Sequence, residues 1–338
     1  MTDLPDHLPQ RPAVADDAWA HDLLSEVLRS VRLTGAMLFL VEAGAPWLTQ
    51  APATRAFAPA VLPNVQHLIS YHVVIEGSCW GGLRGQAPQS MQAGDILVVP
   101  QGDPYFLAAP SDAPQRYGDD EAVDFFRRMA AGELPHVVNA DGGGAKTRFI
   151  CGFLGCDAQP FNPVLASLPR VLHLRRAAAP GARLAHLVDF ALGELGEQRA
   201  GRRDVLLRLA ELLFVEVLRS HLAGETTGRH GWLAALRDPL LSRALAALHR
   251  EPARAWTLDT LAAAAATSRS TLAERFVQVM DQPPMQYLAA WRMQLATRLL
   301  AKGRDKVRTV AEAVGYDSES AFSRAFKRQT GLPPSRWR

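Results

Sequence analysis

Val310-Ala-Glu-Ala-Val-Gly-Tyr-Asp-Ser-Glu-Ser-Ala-Phe-Ser-Arg-Ala-Phe-Lys-Arg328 is the stretch on which the reading of this chain turns. Val307, Val310, Ala311 and Val314 recur at three- and four-residue spacing, the apolar face of a short helix. Gly315-Tyr-Asp317 turns the chain, and Ser318 offers a side-chain oxygen to cap the next helix, which runs Glu319 to Arg328 with Phe322 and Phe326 on one face. Two short helices joined by a tight turn are therefore predicted.

The same pattern occurs once before. Leu258, Leu261, Ala262 and Ala265 form a face, Thr267-Ser268 breaks and caps, and Arg269 to Val277 continues as helix, so that Ser268 and Ser318 open second helices 50 positions apart. Between the copies Met285, Leu288, Trp291, Leu295 and Leu299 form one long stripe, a stiff spacer helix that fixes the separation of the two units. A helix fits the major groove end-on with its N-terminal residues at base edges, and two helices about one duplex turn apart reach consecutive grooves. With Leu272, Phe276, Phe322 and Phe326 turned to the core, the outward positions are Arg269, Ser270, Ala273, Glu274 and Val277 in the first unit. In the second they are Glu319, Ser320, Ala321, Arg324 and Lys327.

Charge agrees with that placement. The 338 residues carry a net +3, but positions 231 to 338 hold 17 Lys and Arg against 9 Asp and Glu, a balance of +8, which leaves the first 230 residues at −5. A basic C-terminal third suits a polyanion. The hydrophobic share of 48% and charged share of 21% are those of an ordinary globular chain long enough for two domains. No apolar run reaches the ~20 residues that span a bilayer. Met1-Thr-Asp-Leu-Pro-Asp6 lacks a basic start and an apolar core, so no export signal is read and a cytoplasmic location is expected.

Tyr287 to Leu300, Val310 to Arg328 and Thr330-Gly-Leu-Pro-Pro-Ser-Arg-Trp-Arg338 together resemble the signature of the AraC/XylS family of bacterial transcription regulators. The resemblance covers about the last hundred residues and implies promoter DNA as a partner, with RNA polymerase a further one and activation the expected outcome. Arg324 is the candidate for bidentate reading of a guanine, with Ser320 beside it, while Lys327 and Arg328 are placed on phosphates. In the first unit the family's contact positions hold Ser270, Ala273 and Glu274, none of them Arg, Asn or Gln. Glu274 either accepts from a cytosine amino group or only neighbours Arg275, itself counted with the DNA-facing residues. A helical interaction bundle with solvated basic faces is the bland alternative.

Upstream, Ala36 to Val41, His72 to Ile75 and Ile96 to Val99 are short β-rich runs between Gly, Pro and Asp, the rhythm of an all-β sandwich or small barrel. Residues 110 to 146, rich in Asp, Gly and Pro, read as a flexible insertion. Gly94 to Tyr105 resembles the second motif of cupin barrels, with Tyr105 where metal-binding cupins place a His ligand. No His-x-His precedes it, so no metal and no cofactor are called for, and a cupin-type metal enzyme fused to a DNA-binding module is the rival reading. His67, His72, Trp80 and Tyr105 are the residues expected at the mouth of an effector site. Three cysteines exclude a disulfide framework. Cys151 and Cys156 are either small buried hydrophobes or, together or with Cys79, a redox switch.

Leu184, Leu187, Val188 and Leu192, then Val205, Leu206, Leu209, Leu212, Leu213, Val217 and Leu218, mark two apolar helices. They either pack back on the barrel or meet their copies in a homodimer. The expected class is α+β and multidomain: a cupin-like domain at 1–181, the helical pair at 182–222, a linker at 223–231, and an all-α double helix-turn-helix domain at 232–338. The function read from this is sequence-specific transcription regulation, without catalysis, controlled by an effector or redox signal.

Overall fold

The structure, a computed structural model, describes residues 22–337 with the exception of 32, 64, 66, 113–117, 157–160, 177–181, 198, 225–229 and 304. Helix α1 (Leu23–Val31) leads into β1 (Leu33–Gly44), β2 (Trp47–Ala51), the short α2 (Ala58–Val61), β3 (His67–Glu76), β4 (Ser78–Leu83), β5 (Gln89–Gln92), β6 (Ile96–Val99) and β7 (Tyr105–Ala109). Then come α3 (Asp119–Ala130), β8 (Val137–Asp141), β9 (Lys146–Cys156), α4 (Pro163–Ser167) and β10 (Leu172–Leu174). The strands make two sheets, in the orders β10-β6-β3-β9-β1-β8 and β2-β7-β4-β5.

Period-2 alternation explains why the larger sheet reads as continuous apolar runs. Leu68, Val74, Leu97, Val99, Phe149 and Phe153 face the smaller sheet and share a core with Trp47, Leu83 and Leu107. Their neighbours Ile69, Tyr71, Val73, Ile96, Val98, Ile150 and Leu154 face the other way, into a second core built with helices. Both surfaces of the sheet are thus buried.

The expected flexible insertion at 110–146 is largely folded. Three acidic residues, Asp119, Asp120 and Glu121, open α3 where the helix dipole favours them, and Phe126 and Met129 bury its inner face. Phe126 packs against Phe57 and Phe153 with ring centroids 4.7 and 5.0 Å apart. β8 then adds a parallel edge strand, Leu40 opposite Val137 through Gly44 opposite Asp141. The segment's polar composition concealed two short apolar clusters, at 125–129 and 137–138.

Helices α5 (Ala182–Gly196) and α6 (Arg202–Ala223) follow. Leu184, Val188, Ala191 and Leu195 of α5, and Leu206, Leu209, Leu213 and Val217 of α6, join the core on the outer face of the six-stranded sheet. The apolar faces therefore pack back within the chain, each Leu or Val contributing roughly 1.5–3 kcal/mol. Phe190 and Leu212 are left outside, 55% and 52% exposed. The expected linker at 223–231 lies for the most part outside the described residues.

The C-terminal part comprises α7 (Trp232–Arg237), α8 (Pro239–Arg250), α9 (Leu258–Ala264), α10 (Arg269–Met280), α11 (Pro284–Ala301), α12 (Val307–Ala313) and α13 (Glu319–Thr330). The spacer α11, ~27 Å long at 1.5 Å per residue, is more than a spacer. Tyr287, Leu288 and Trp291 lie in the first unit's core, and Met293, Ala296 and Leu300 in the second unit's, with Val310, Val314, Phe322 and Phe326. The two halves of the chain also touch. Trp232 N donates to Ser167 Oγ at 2.8 Å, and Phe161 N donates to Gln294 Oε1 at 3.2 Å. The Phe161 ring meets Tyr287 edge-on at 5.5 Å.

Candidate nucleic-acid interface

α9–α10 and α12–α13 repeat one construction. Ser268 Oγ accepts from Thr271 N at 3.1 Å and Ser318 Oγ from Ala321 N at 3.1 Å, so each second helix is capped by the serine that precedes it. Leu272, Phe276, Phe322 and Phe326 are all fully buried and pin the two helices to their cores. Each helix ends in a left-handed residue, Asp281 with φ +55° and Gly331 with φ +78°. The turns differ. Gly315 has φ +82°, and a Cβ there would collide with the backbone of Ala253, so only glycine fits. The first unit instead forces Ala266 to φ +52°, at a cost of about 1–2 kcal/mol.

Anchoring the buried side exposes the other. Arg269, Ser270 and Glu274 are exposed and Ala273 half-buried on α10; Glu319, Ser320, Arg324, Lys327 and Arg328 are exposed and Ala321 half-buried on α13. Ser320 Oγ lies 2.8 Å from Ser318 Oγ at the helix start. Arg324 makes no hydrogen bond or ion pair among the described residues. Arg275 departs from expectation. Its Nε donates to Asp238 Oδ2 at 2.7 Å and its Nη1 to Gln278 Oε1 at 2.8 Å, so it braces α10 against the start of α8. Burial alone would raise the Asp238 carboxyl, but Arg275 and the N–H groups of Leu241 and Leu240 outweigh it and hold the carboxyl below its ordinary range.

The expected effector residues do not gather at one mouth. His67 and His72 stand five positions apart on β3 and point to opposite faces; His67 Nε2 is 2.6 Å from the Pro100 carbonyl. His72 and Tyr105 are buried between the sheets, ring centroids 4.7 Å apart, and Trp80 is 37% exposed beside inward-facing Cys79. Burial pushes the His72 imidazole down to about 3, which keeps it neutral, with Nδ1 at 3.0 Å from Cys151 Sγ. Cys79 is pushed up to about 12 by burial and then by Asp95, and burial also raises Cys151, which disfavours the thiolate at both. Cys151 and Cys156, five positions apart on β9, face different cores and are separated by roughly 17 Å of strand. A disulfide between them is sterically excluded. Among the described residues no three His, Cys, Asp or Glu converge as metal ligands.

Sequence reasoning missed the contacts between the halves, Ser167 with Trp232 and Phe161 with Gln294. Their partners are 65 and 133 positions apart, and no local pattern announces them. The same junction holds His249, which burial pushes down to about 3; its Nε2 lies 2.7 Å from Tyr287 Oη and its Nδ1 3.7 Å from Glu26 Oε2 of α1.

Two serine-capped helix-turn-helix units on a shared helix, joined to a cupin sandwich, are the architecture of a DNA-binding transcription regulator. The Cupin family model matches residues 22–223, and the Helix-turn-helix domain model matches residues 261–338. A putative AraC-like transcription regulator of Streptomyces lividans is 32% identical over 321 residues, covering 94% of this chain and 98% of that protein. The HTH-type transcriptional regulator AlkR of Acinetobacter baylyi is 30% identical over 322 residues, covering 94% and 99%. This chain belongs to the AraC-like transcription regulators. The crystal structure of the DNA-binding domain of AdpA in complex with a target DNA is 34% identical over 29% of this chain and 87% of that one, with a TM-score of 0.28. No helix among the described residues is long and apolar enough to cross a membrane.

Proposed function

We propose that α13 reads sequence and α10 supplements it. Arg324 is the bidentate reader of a guanine, Ser320 supports it, and Lys327 and Arg328 take phosphates. The observation that carries this is the exposed Arg324 guanidinium, unpaired among the described residues, on a helix whose opposite face is locked by Phe322 and Phe326. Arg269, Ser270, Ala273 and Glu274 form the α10 contact surface, with Glu319 and Ala321 at the start of α13. The cupin half receives a small effector and carries no enzymatic reaction, since the relatives at about 30% identity over nearly the whole chain are transcription regulators. Its state reaches the DNA-binding half through α4, whose Ser167 meets the first residue of α7. A homodimer formed through the exposed Phe190 and Leu212, activation through RNA polymerase, and a cytoplasmic location complete the proposal.

The test is binding of the full chain to promoter fragments and to random duplex, with and without candidate metabolites. Preference for one promoter that a metabolite alters is expected. Equal affinity for every duplex would overturn sequence-specific reading, and a promoter preference that no metabolite alters would overturn the sensing role.

A further inference from the structure

α10 carries one large apolar side chain that does not pack. Val277 is 46% exposed, although Phe276 before it is fully buried and Val279 after it nearly so. Among the described residues it is the one large exposed hydrophobic on either α10 or α13. It ends the stripe Ser270, Ala273, Glu274, Val277, whose spacing places all four opposite Leu272, Phe276 and Val279. Positions spaced in this way along a helix in the major groove reach base edges, as in homeodomains.

The counterpart of Val277, 50 positions on, is Lys327, and that of Gln278 is Arg328. Where α13 offers cations, α10 offers a branched apolar group and a neutral amide, with an acid one turn earlier at Glu274. This C-terminal part of the α10 surface, unlike Arg269 at its start, gains little from phosphate oxygens. The apolar group that the major groove presents is the C5-methyl of thymine. We propose that Val277 is a specificity-determining residue, packing its methyls on a thymine C5-methyl in the half-site met by α10. This rests on α10 as a groove-entering helix.

The experiment replaces each thymine, one at a time, by deoxyuridine in a duplex selected in vitro by the full chain, which removes the methyl and leaves base pairing intact. Affinity is measured for the natural sequence and for Val277→Ala, a change at an exposed site. One thymine in the α10 half-site is expected to lose about four-fold in affinity with the natural protein, the worth of one buried methyl. The same replacement is expected to change nothing with Val277→Ala. An equal loss in both proteins, or no loss at any thymine, overturns the Val277 contact. Guanine methylation interference on the same duplex separates the two claims. Interference in both half-sites keeps α10 in its groove even when Val277 fails, whereas interference confined to one removes the underlying reading as well.

Discussion

α10 and α13 are each 12 residues long, each capped by a serine and closed by a left-handed residue, yet Glu274, Val277 and Gln278 on the first stand where Arg324, Lys327 and Arg328 stand on the second. The residues that build the repeat and those that face outward vary independently. Sharing a fold therefore does not give the units equal outward faces. At these positions the second presents cations, and the first an acid, an exposed valine and an amide, with Arg269 exposed at its start.

Both units depend first on their cores. Phe276→Ala and Phe326→Ala each delete a fully buried ring and should cost about 3–5 kcal/mol in thermal unfolding. A small loss at either would mean that the two units are not built alike. Next in size, Arg324→Ala should weaken specific DNA by roughly 1–3 kcal/mol and relax one base position. Glu274→Ala should leave binding to random duplex equal or stronger, and parallel losses on random and specific DNA for Arg324→Ala would make it a phosphate contact instead.

Acid separates the units in a third way. The first unit's core holds His249, kept neutral by burial, while the second unit contains no histidine. Its folded-state pKa lies below the unfolded value of 6.5, so the unfolded chain takes up the proton first and stability falls as pH drops from 6.5 toward about 3. The slope is about 1.4 kcal/mol per pH unit for one such group. His249→Gln should flatten the acid limb by one proton, measured by denaturant unfolding at several pH values. The smallest effect is at the turns. Ala266→Gly should stabilise by about 0.5–1 kcal/mol by relieving the left-handed alanine, giving the first turn the residue type the second has at Gly315.

The DNA-binding half was legible because its signals are local. Serine caps, phenylalanines one turn apart and a glycine turn lie within a few residues of one another, and the helices expected from Arg269 and Glu319 start there. The cupin half is legible in class and less so in detail. β8 pairs with β1 across a long interval, and α3 hides its two buried residues among acids. Chemistry alone groups His67 with His72, whereas strand alternation sends them to opposite faces.

Selection of the full chain and of Arg324→Ala on a random duplex library, followed by sequencing, tests whether one chain reads two DNA segments with unequal helices. Two preferred blocks about 10 base pairs apart are predicted, with a guanine in one block losing its preference in Arg324→Ala and the other block unchanged. A single block, or two blocks that Arg324→Ala leaves intact, would contradict it.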